Sequence, residues 1–108
     1  MRHLIENFLN SLQVEKGYSN NTIVAYRNDL GQFTEFLDDQ TDVDGWKGVH
    51  KDHLVDYVNC LKHDREYASA TVARKVAAAK SFFRYLVDWG CLPDDPSATL
   101  DSPKVRKY

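Results

Sequence analysis

Apolar residues recur along this chain at steps of three and four in four successive segments, and no stretch of useful length alternates apolar with polar residues. Such spacing gathers the apolar side chains of each segment on one face of an α-helix and leaves no half-buried strand, so an all-α fold is expected. In the first segment, about residues 2–14, the stripe is Leu4, Ile5, Phe8, Leu9 and Leu12, and Gly17 ends it. Ser19 can cap a second helix running to about Asp38, with Ile23, Tyr26, Leu30, Phe33 and Leu37 facing inward. Residues 39–48 are acidic and contain Gly45 and Gly48, which reads as a loop whose Trp46 plugs the core.

A third helix is expected over about residues 51–64, with Leu54, Tyr57, Val58 and Leu61 on one side. Ser69 is placed to cap a fourth, whose inward stripe is Val72, Val76, Ala79, Phe83 and Leu86, and Gly90 stops it. Asp95 followed by Pro96 looks like a cap with proline at the first helical position, giving one short helical turn through Leu100. After Pro103 the sequence turns basic and loses its period, as an interdomain linker does. The expected architecture is a four-helix bundle with a short fifth helix, a domain over residues 1–103 and the start of a linker at 104–108.

At 108 residues the chain has the size of one domain with one core. Hydrophobic residues at 43% and charged residues at 28% are ordinary globular values and argue against disorder. No apolar run approaches the roughly 18 to 20 residues of a membrane span, and the amino terminus lacks a signal-peptide core, so a cytoplasmic address without membrane contact is expected. Cys60 and Cys91 are too few and too irregular for a disulfide framework, and a reduced structural role follows. The formal charge of −2 excludes a highly basic, histone-like binder. Charge is nonetheless segregated: Arg74, Lys75, Lys80 and Arg84 face one acid, Asp88, between Ser69 and Gly90, and Lys104, Arg106 and Lys107 crowd the last residues. Acids gather at Asp38, Asp39, Asp42 and Asp44.

With its apolar stripe turned inward, the fourth helix is expected to present Thr71, Arg74, Lys75 and Ala78 outward. Basic side chains between alanines suit close approach to a groove, because bulk would hold the backbone away from base edges and phosphates. From the residues alone, a plain solvated face with alanines chosen for helix propensity is the favoured alternative. On the second helix Thr22, Ala25, Asn28, Asp29 and Gln32 are expected to face outward, and the first turn, Asn20, Asn21 and Thr22, offers polar donors beside free helix amides that could hold a phosphate. From the residues alone, ordinary capping chemistry is the favoured reading of that turn.

His50, His53, Cys60 and His63 have suggestive spacing for a metal. As a helix, however, positions 50 and 63 stand roughly 20 Å apart, which a zinc ion with ligands at about 2.0 to 2.3 Å does not span. Neither a metal nor an organic cofactor is expected. No glycine-rich phosphate loop, nucleophile elbow or HExxH motif is present. Among the tyrosines, Tyr26, Tyr57 and Tyr85 lie at or beside core positions, and Tyr18, Tyr67 and Tyr108 have no base or cationic cluster at readable spacing, so no catalytic residue is expected.

The run from Gly17 to Leu30 (GYSNNTIVAYRNDL), followed by Phe33, Phe36 and Leu37, resembles the opening signature of the core-binding domain of tyrosine recombinases, the phage integrase family. Residues 69–74 (SATVAR), 82–86 (FFRYL) and 95–98 (DPSA), then Leu100 and Ser102 to Lys104, are similar to its second half, and the resemblance is closest to the Xer-type recombinases. It implies a SAM-like helical bundle that forms one jaw of a clamp around double-stranded DNA, with the second and fourth helices crossing the major groove. It also implies that Asn21, Thr22, Ala25, Asn28, Thr71, Arg74, Lys75, Ala78 and Lys80 lie towards DNA, and that Lys104, Arg106 and Lys107 open a linker along the duplex. The first helix would help join protomers into a tetrameric synapse. The catalytic arginines, the His-x-x-Arg segment and the nucleophilic tyrosine of the family's second domain have no counterpart in these residues. Two other classes remain open: a helical protein-interaction module whose basic stripe meets an acidic partner, and a freestanding regulator that reads DNA without recombining it.

Overall fold

The helix boundaries fall where local backbone chemistry sets them. In the computed structural model, which describes residues 2–100, α1 spans Arg2–Val14, α2 Asn20–Gln40, α3 Lys51–Asn59 and α4 Ser69–Asp88, with no β-strand among the described residues. Gly17 closes α1 at φ +68° and Gly90 closes α4 at φ +76°, left-handed conformations that glycine adopts without a Cβ penalty. Beyond Gly17 the Tyr18 amide donates to the Leu12 carbonyl at 3.1 Å, and beyond Gly90 the Cys91 amide donates to the Leu86 carbonyl at 2.8 Å. Orphan carbonyls at both helix ends are thereby satisfied. The Ser19 hydroxyl accepts from the Thr22 amide at 3.3 Å and caps α2 as expected.

Other termini depart from expectation. α4 is entered one residue early: Ala68 holds the extended N-cap conformation and makes no side-chain cap, so Ser69 is already helical. Glu66, at φ +53°, turns the chain just before, and that turn sets where the helix begins. α3 continues into a π-helical turn, Cys60–Asp64, closed by the Arg65 amide on the Cys60 carbonyl at 3.0 Å. The expected fifth helix is instead a pair of hydrogen-bonded turns. Asp95 does cap them, its Oδ1 accepting from the Ser97 amide at 2.8 Å and the Ser97 hydroxyl at 2.6 Å, but no α-helical hydrogen bond follows.

Packing is densest between α1 and α2 and between α2 and α4. Phe33 of α2 is wholly buried at the centre, its ring 4.9 Å from Tyr57 of α3, 6.0 Å from Phe83 of α4 and 6.1 Å from Trp46. Trp46 begins a short 3₁₀ turn, Trp46–Gly48, in the loop between α2 and α3, and packs its indole against Phe82 at 4.8 Å. It is the core plug that the sequence suggested. Phe8 of α1 meets Phe82 edge-on at 5.5 Å, which brings α1 into the same aromatic cluster. No helix among the described residues is long and apolar enough to cross a membrane. Both cysteines are free and half-buried.

Because Trp46 is the largest side chain that the α2–α3 loop places in the core, Trp46→Ala is expected to lower stability by about 3 to 5 kcal/mol. Urea unfolding followed by circular dichroism measures it. Trp89 is 65% exposed, so the same substitution should remove the component of tryptophan fluorescence that acrylamide quenches poorly.

Candidate nucleic-acid interface

Asp29 is the unexpected element of the α2 face. It follows Tyr26 by three residues and precedes Phe33 by four, which puts it on the inward side of the helix, and its side chain is 1% exposed. A buried carboxylate is costly unless paired. Asp29 is paired twice, both times by α4. Arg74 donates from Nε to Oδ2 at 3.0 Å and from Nη2 to Oδ1 at 2.9 Å, and Lys75 donates from Nζ to Oδ1 at 2.9 Å. The Lys75 ammonium also stands 5.3 Å from the centre of the Tyr67 ring, whose hydroxyl accepts from Gln32 of α2 at 3.2 Å. Hydrogen bonding to Asp29 raises the Arg74 pKa further above its ordinary value, so the guanidinium is permanently charged. One carboxylate against two cations leaves the cluster with a net positive charge, carried at the surface by the half-exposed Arg74.

The cluster corrects the expected outward face of α4. Arg74 is exposed and Thr71 half-buried, but Lys75 is buried and Ala78 fully so, and neither belongs to the outer surface. The reason is the breadth of the buried side. α4 lies in the middle of the bundle and buries Lys75, Ala78 and Phe82 as well as the Val72, Val76, Ala79, Phe83 and Leu86 stripe. Between its exposed ends, Ser69 and Asp88, it shows a narrower row, Ala70, Arg74, Ala77, Ser81 and Arg84, and Arg84 pairs with Asp88 at 3.4 Å. Adjacent Phe82 and Phe83 were the sequence signal for a two-sided burial, since consecutive aromatics cannot share one narrow stripe.

On α2, Asn21 and Asn28 are exposed, while Thr22, Ala25 and Gln32 are half-buried; Asp29, expected outside, is inside. The Thr22 hydroxyl lies 3.0 Å from that of Ser19, so capping chemistry does occupy part of the first turn. Lys80 is half-buried and donates from Nζ to the Leu100 carbonyl at 2.6 Å, tying the Asp95–Leu100 turns to α4. The expected contacts at Lys104, Arg106 and Lys107 lie outside the described residues.

The remaining candidates have structural employment. His53 reaches back to accept the His50 amide on Nδ1 at 2.9 Å and closes the first turn of α3. Among the described residues no group of His, Cys, Asp and Glu forms a metal site. Tyr57 is buried with no hydrogen-bond partner for its hydroxyl among the described residues; burial, and then the Asp29 charge, raise its pKa far above the ordinary tyrosine value. Tyr67 does have a cationic neighbour, Lys75, which sequence spacing did not reveal.

The geometry is that of an all-helical bundle whose α2 and α4 are clasped by a buried ion cluster with an arginine at its surface. The profile of the family described as phage integrase, N-terminal SAM-like domain matches residues 5–90, and the chain belongs to that family. Similar relatives include tyrosine recombinase XerC of Herpetosiphon aurantiacus, 43% identical over the whole chain and 35% of the relative, and that of Roseiflexus castenholzii, 46% identical over 99% of the chain and 33% of the relative. Tyrosine recombinase XerD of Pseudomonas aeruginosa is 34% identical over 96% of the chain and 34% of the relative. The chain therefore spans about a third of the length of the curated relatives it matches.

Two stability outcomes follow from the site. Asp29→Ala strands a buried ammonium and is expected to cost about 3 to 5 kcal/mol, whereas Lys75→Met leaves Asp29 paired with Arg74 and should cost well under half as much in the same urea titrations. Tyr57→Phe should be neutral or stabilising by about 1 kcal/mol, since it removes an unpartnered buried hydroxyl. The raised Tyr57 pKa means that the fold holds the phenol proton more tightly than the unfolded chain does. Its contribution is present below the unfolded value of about 10 and lost as pH rises above it. Tyr57→Phe should accordingly flatten the alkaline loss of stability in denaturant titrations above that pH.

Proposed function

We propose that this chain is the DNA-gripping N-terminal domain of a site-specific tyrosine recombinase, and that it holds duplex DNA through the exposed residues of α2 and α4 during recombination or integration. The observation that carries the reading is Arg74: a charged guanidinium, half exposed, standing among the exposed small residues Ala70, Ala77 and Ser81 of α4 and joined to α2 through Asp29. Small neighbours allow close approach to a groove, and an arginine supplies donors for both phosphates and base edges. Membership of the integrase N-terminal family and the names of the recombinase relatives support the same reading. In it the contact set is Arg74, Thr71, Asn21, Thr22, Ala25 and Asn28, with Arg84 added. Lys80 plays an anchoring part, and Lys75 acts from behind.

Residues 1–103 form the domain in this reading, and 104–108 begin a basic linker along the duplex through Lys104, Arg106 and Lys107. Strand cleavage and rejoining belong to the parent recombinase and not to any side chain of this chain. No cofactor is required, and the setting is the cytoplasm. Val14 and Trp89, 73% and 65% exposed, stand together along one shallow groove between α1 and the end of α4, where a neighbouring protomer of a tetrameric synapse would pack.

Fluorescence anisotropy with a labelled duplex tests the proposal. Affinity should fall steeply with salt, because binding that neutralises phosphates releases counterions. Arg74→Ala should weaken binding and reduce the slope of log affinity against log salt by about 1. Binding that is absent at low salt, or indifferent to salt, overturns the proposal.

A further inference from the structure

Resting on the reading of α2 and α4 as the DNA face, we propose that Asp29 is a positioning residue for recognition: it holds Arg74 so that the guanidinium meets a pair of acceptors on DNA end-on, through Nη1 and Nη2. Asp29 itself touches no DNA, because its carboxylate is buried.

The guanidinium is planar, and its N–H groups have fixed relative directions. Asp29 takes the Nε hydrogen and one Nη2 hydrogen, at 3.0 and 2.9 Å. Two bonds to one carboxylate fix the plane and its rotation, so the directions of the other three N–H groups are fixed as well. Two of these, one on Nη1 and one on Nη2, run parallel away from Asp29, on a side chain that is half exposed. A parallel pair of donors matches paired acceptors, either O6 and N7 of guanine or two oxygens of a phosphate.

Asp29 is in turn prevented from moving. Lys75 binds Oδ1 at 2.9 Å from within the bundle, and its ammonium is confined by the Tyr67 ring at 5.3 Å. The buried lysine thus holds the carboxylate, and the carboxylate holds the arginine. The ground in front is clear, since Ala70 and Ala77, four residues before Arg74 and three after it, are exposed and carry only methyl groups. An exposed arginine ordinarily surrenders rotamer freedom on binding; here that ordering precedes the encounter.

The test turns on charge. Asp29→Asn with Lys75→Met removes one acid and one base, leaves the net charge of the 108-residue chain unchanged, and strands no buried ion. A held Arg74 predicts that this pair of substitutions weakens duplex binding about 3- to 10-fold, the worth of ordering one long side chain. It further predicts that Arg74→Ala costs less in the substituted background than in the wild type. A merely structural role for Asp29 leaves the Arg74→Ala loss equal in both. Arg74→Lys supplies a second arm at an exposed position: it keeps the charge but not the fork, and is expected to bind nearly as weakly as Arg74→Ala.

Three duplexes of equal length locate the acceptors: one alternating G·C, one alternating A·T, and the first with 7-deazaguanine in place of guanine. A guanine acceptor pair predicts tighter binding to the first alone, lost in Arg74→Lys; a phosphate pair predicts equal binding to all three and an equal loss on each. Either result sustains the proposal. Wild-type binding that survives both Arg74→Lys and the Asp29, Lys75 pair unchanged overturns the positioning role and leaves the DNA-binding reading standing. If the wild-type chain binds none of the duplexes, both fall together.

Discussion

The α2–α4 pairing depends on a carboxylate that has no business in an apolar interior unless it is answered there. Asp29 is answered by two cations from adjacent positions of one helix, and helical geometry would ordinarily aim such neighbours about 100° apart. They converge because they approach from different sides, Arg74 along the surface and Lys75 from beneath. Replacing such a cluster with apolar residues often leaves a protein equally stable, so its value lies more in determining which arrangement forms. Sliding α4 along α2 by one turn would bury an unanswered charge, and the register is therefore discrete.

Around that clasp the core is aromatic and draws on every helix. Phe33 gathers Tyr57, Phe83 and Trp46, and Phe82 extends the cluster to Phe8 of α1. A loop tryptophan is therefore a full member of the aromatic core beside the helices. Charge is arranged with similar economy. The exposed acids Asp38 and Asp39 end α2, and Asp42 and Asp44 follow in the loop. Asp38 is roughly 14 Å along the helix from Asp29, at about 1.5 Å per residue. An overall acidic chain thereby gathers four of its acids at the far end of α2, and the carboxylate beside Arg74 is the buried Asp29, which two cations answer.

Features governed by neighbours in the chain were legible from the sequence. Gly17, Gly90 and the Ser19 cap marked helix ends, and Trp46 could be assigned inward because a lone indole in an acidic loop has few other places to go. The Ser69 cap was misplaced by one residue, since the left-handed turn at Glu66 is a property of the whole connection. The candidate site was legible only in part. Arg74 and Asn28 fell on the surface as expected, whereas Lys75 and Asp29 were hidden by a partnership spanning 46 positions, which no local period reports. Their charges argued for the outside, and only the i, i+3 and i+4 alignment of Asp29 with Tyr26 and Phe33 argued for the interior. When polarity and phase conflict in this way, a buried countercharge is the physical resolution.

The bond from Lys80 to the Leu100 carbonyl has a mechanical meaning. It fastens Leu100, the last of the described residues, to the middle of α4, the helix that carries Arg74. A pull on the turns at 95–100 is therefore shared with a twenty-residue helix set in an aromatic core. Arg74 and the anchored Leu100 ride on one helix, so a change in how α4 sits moves both together.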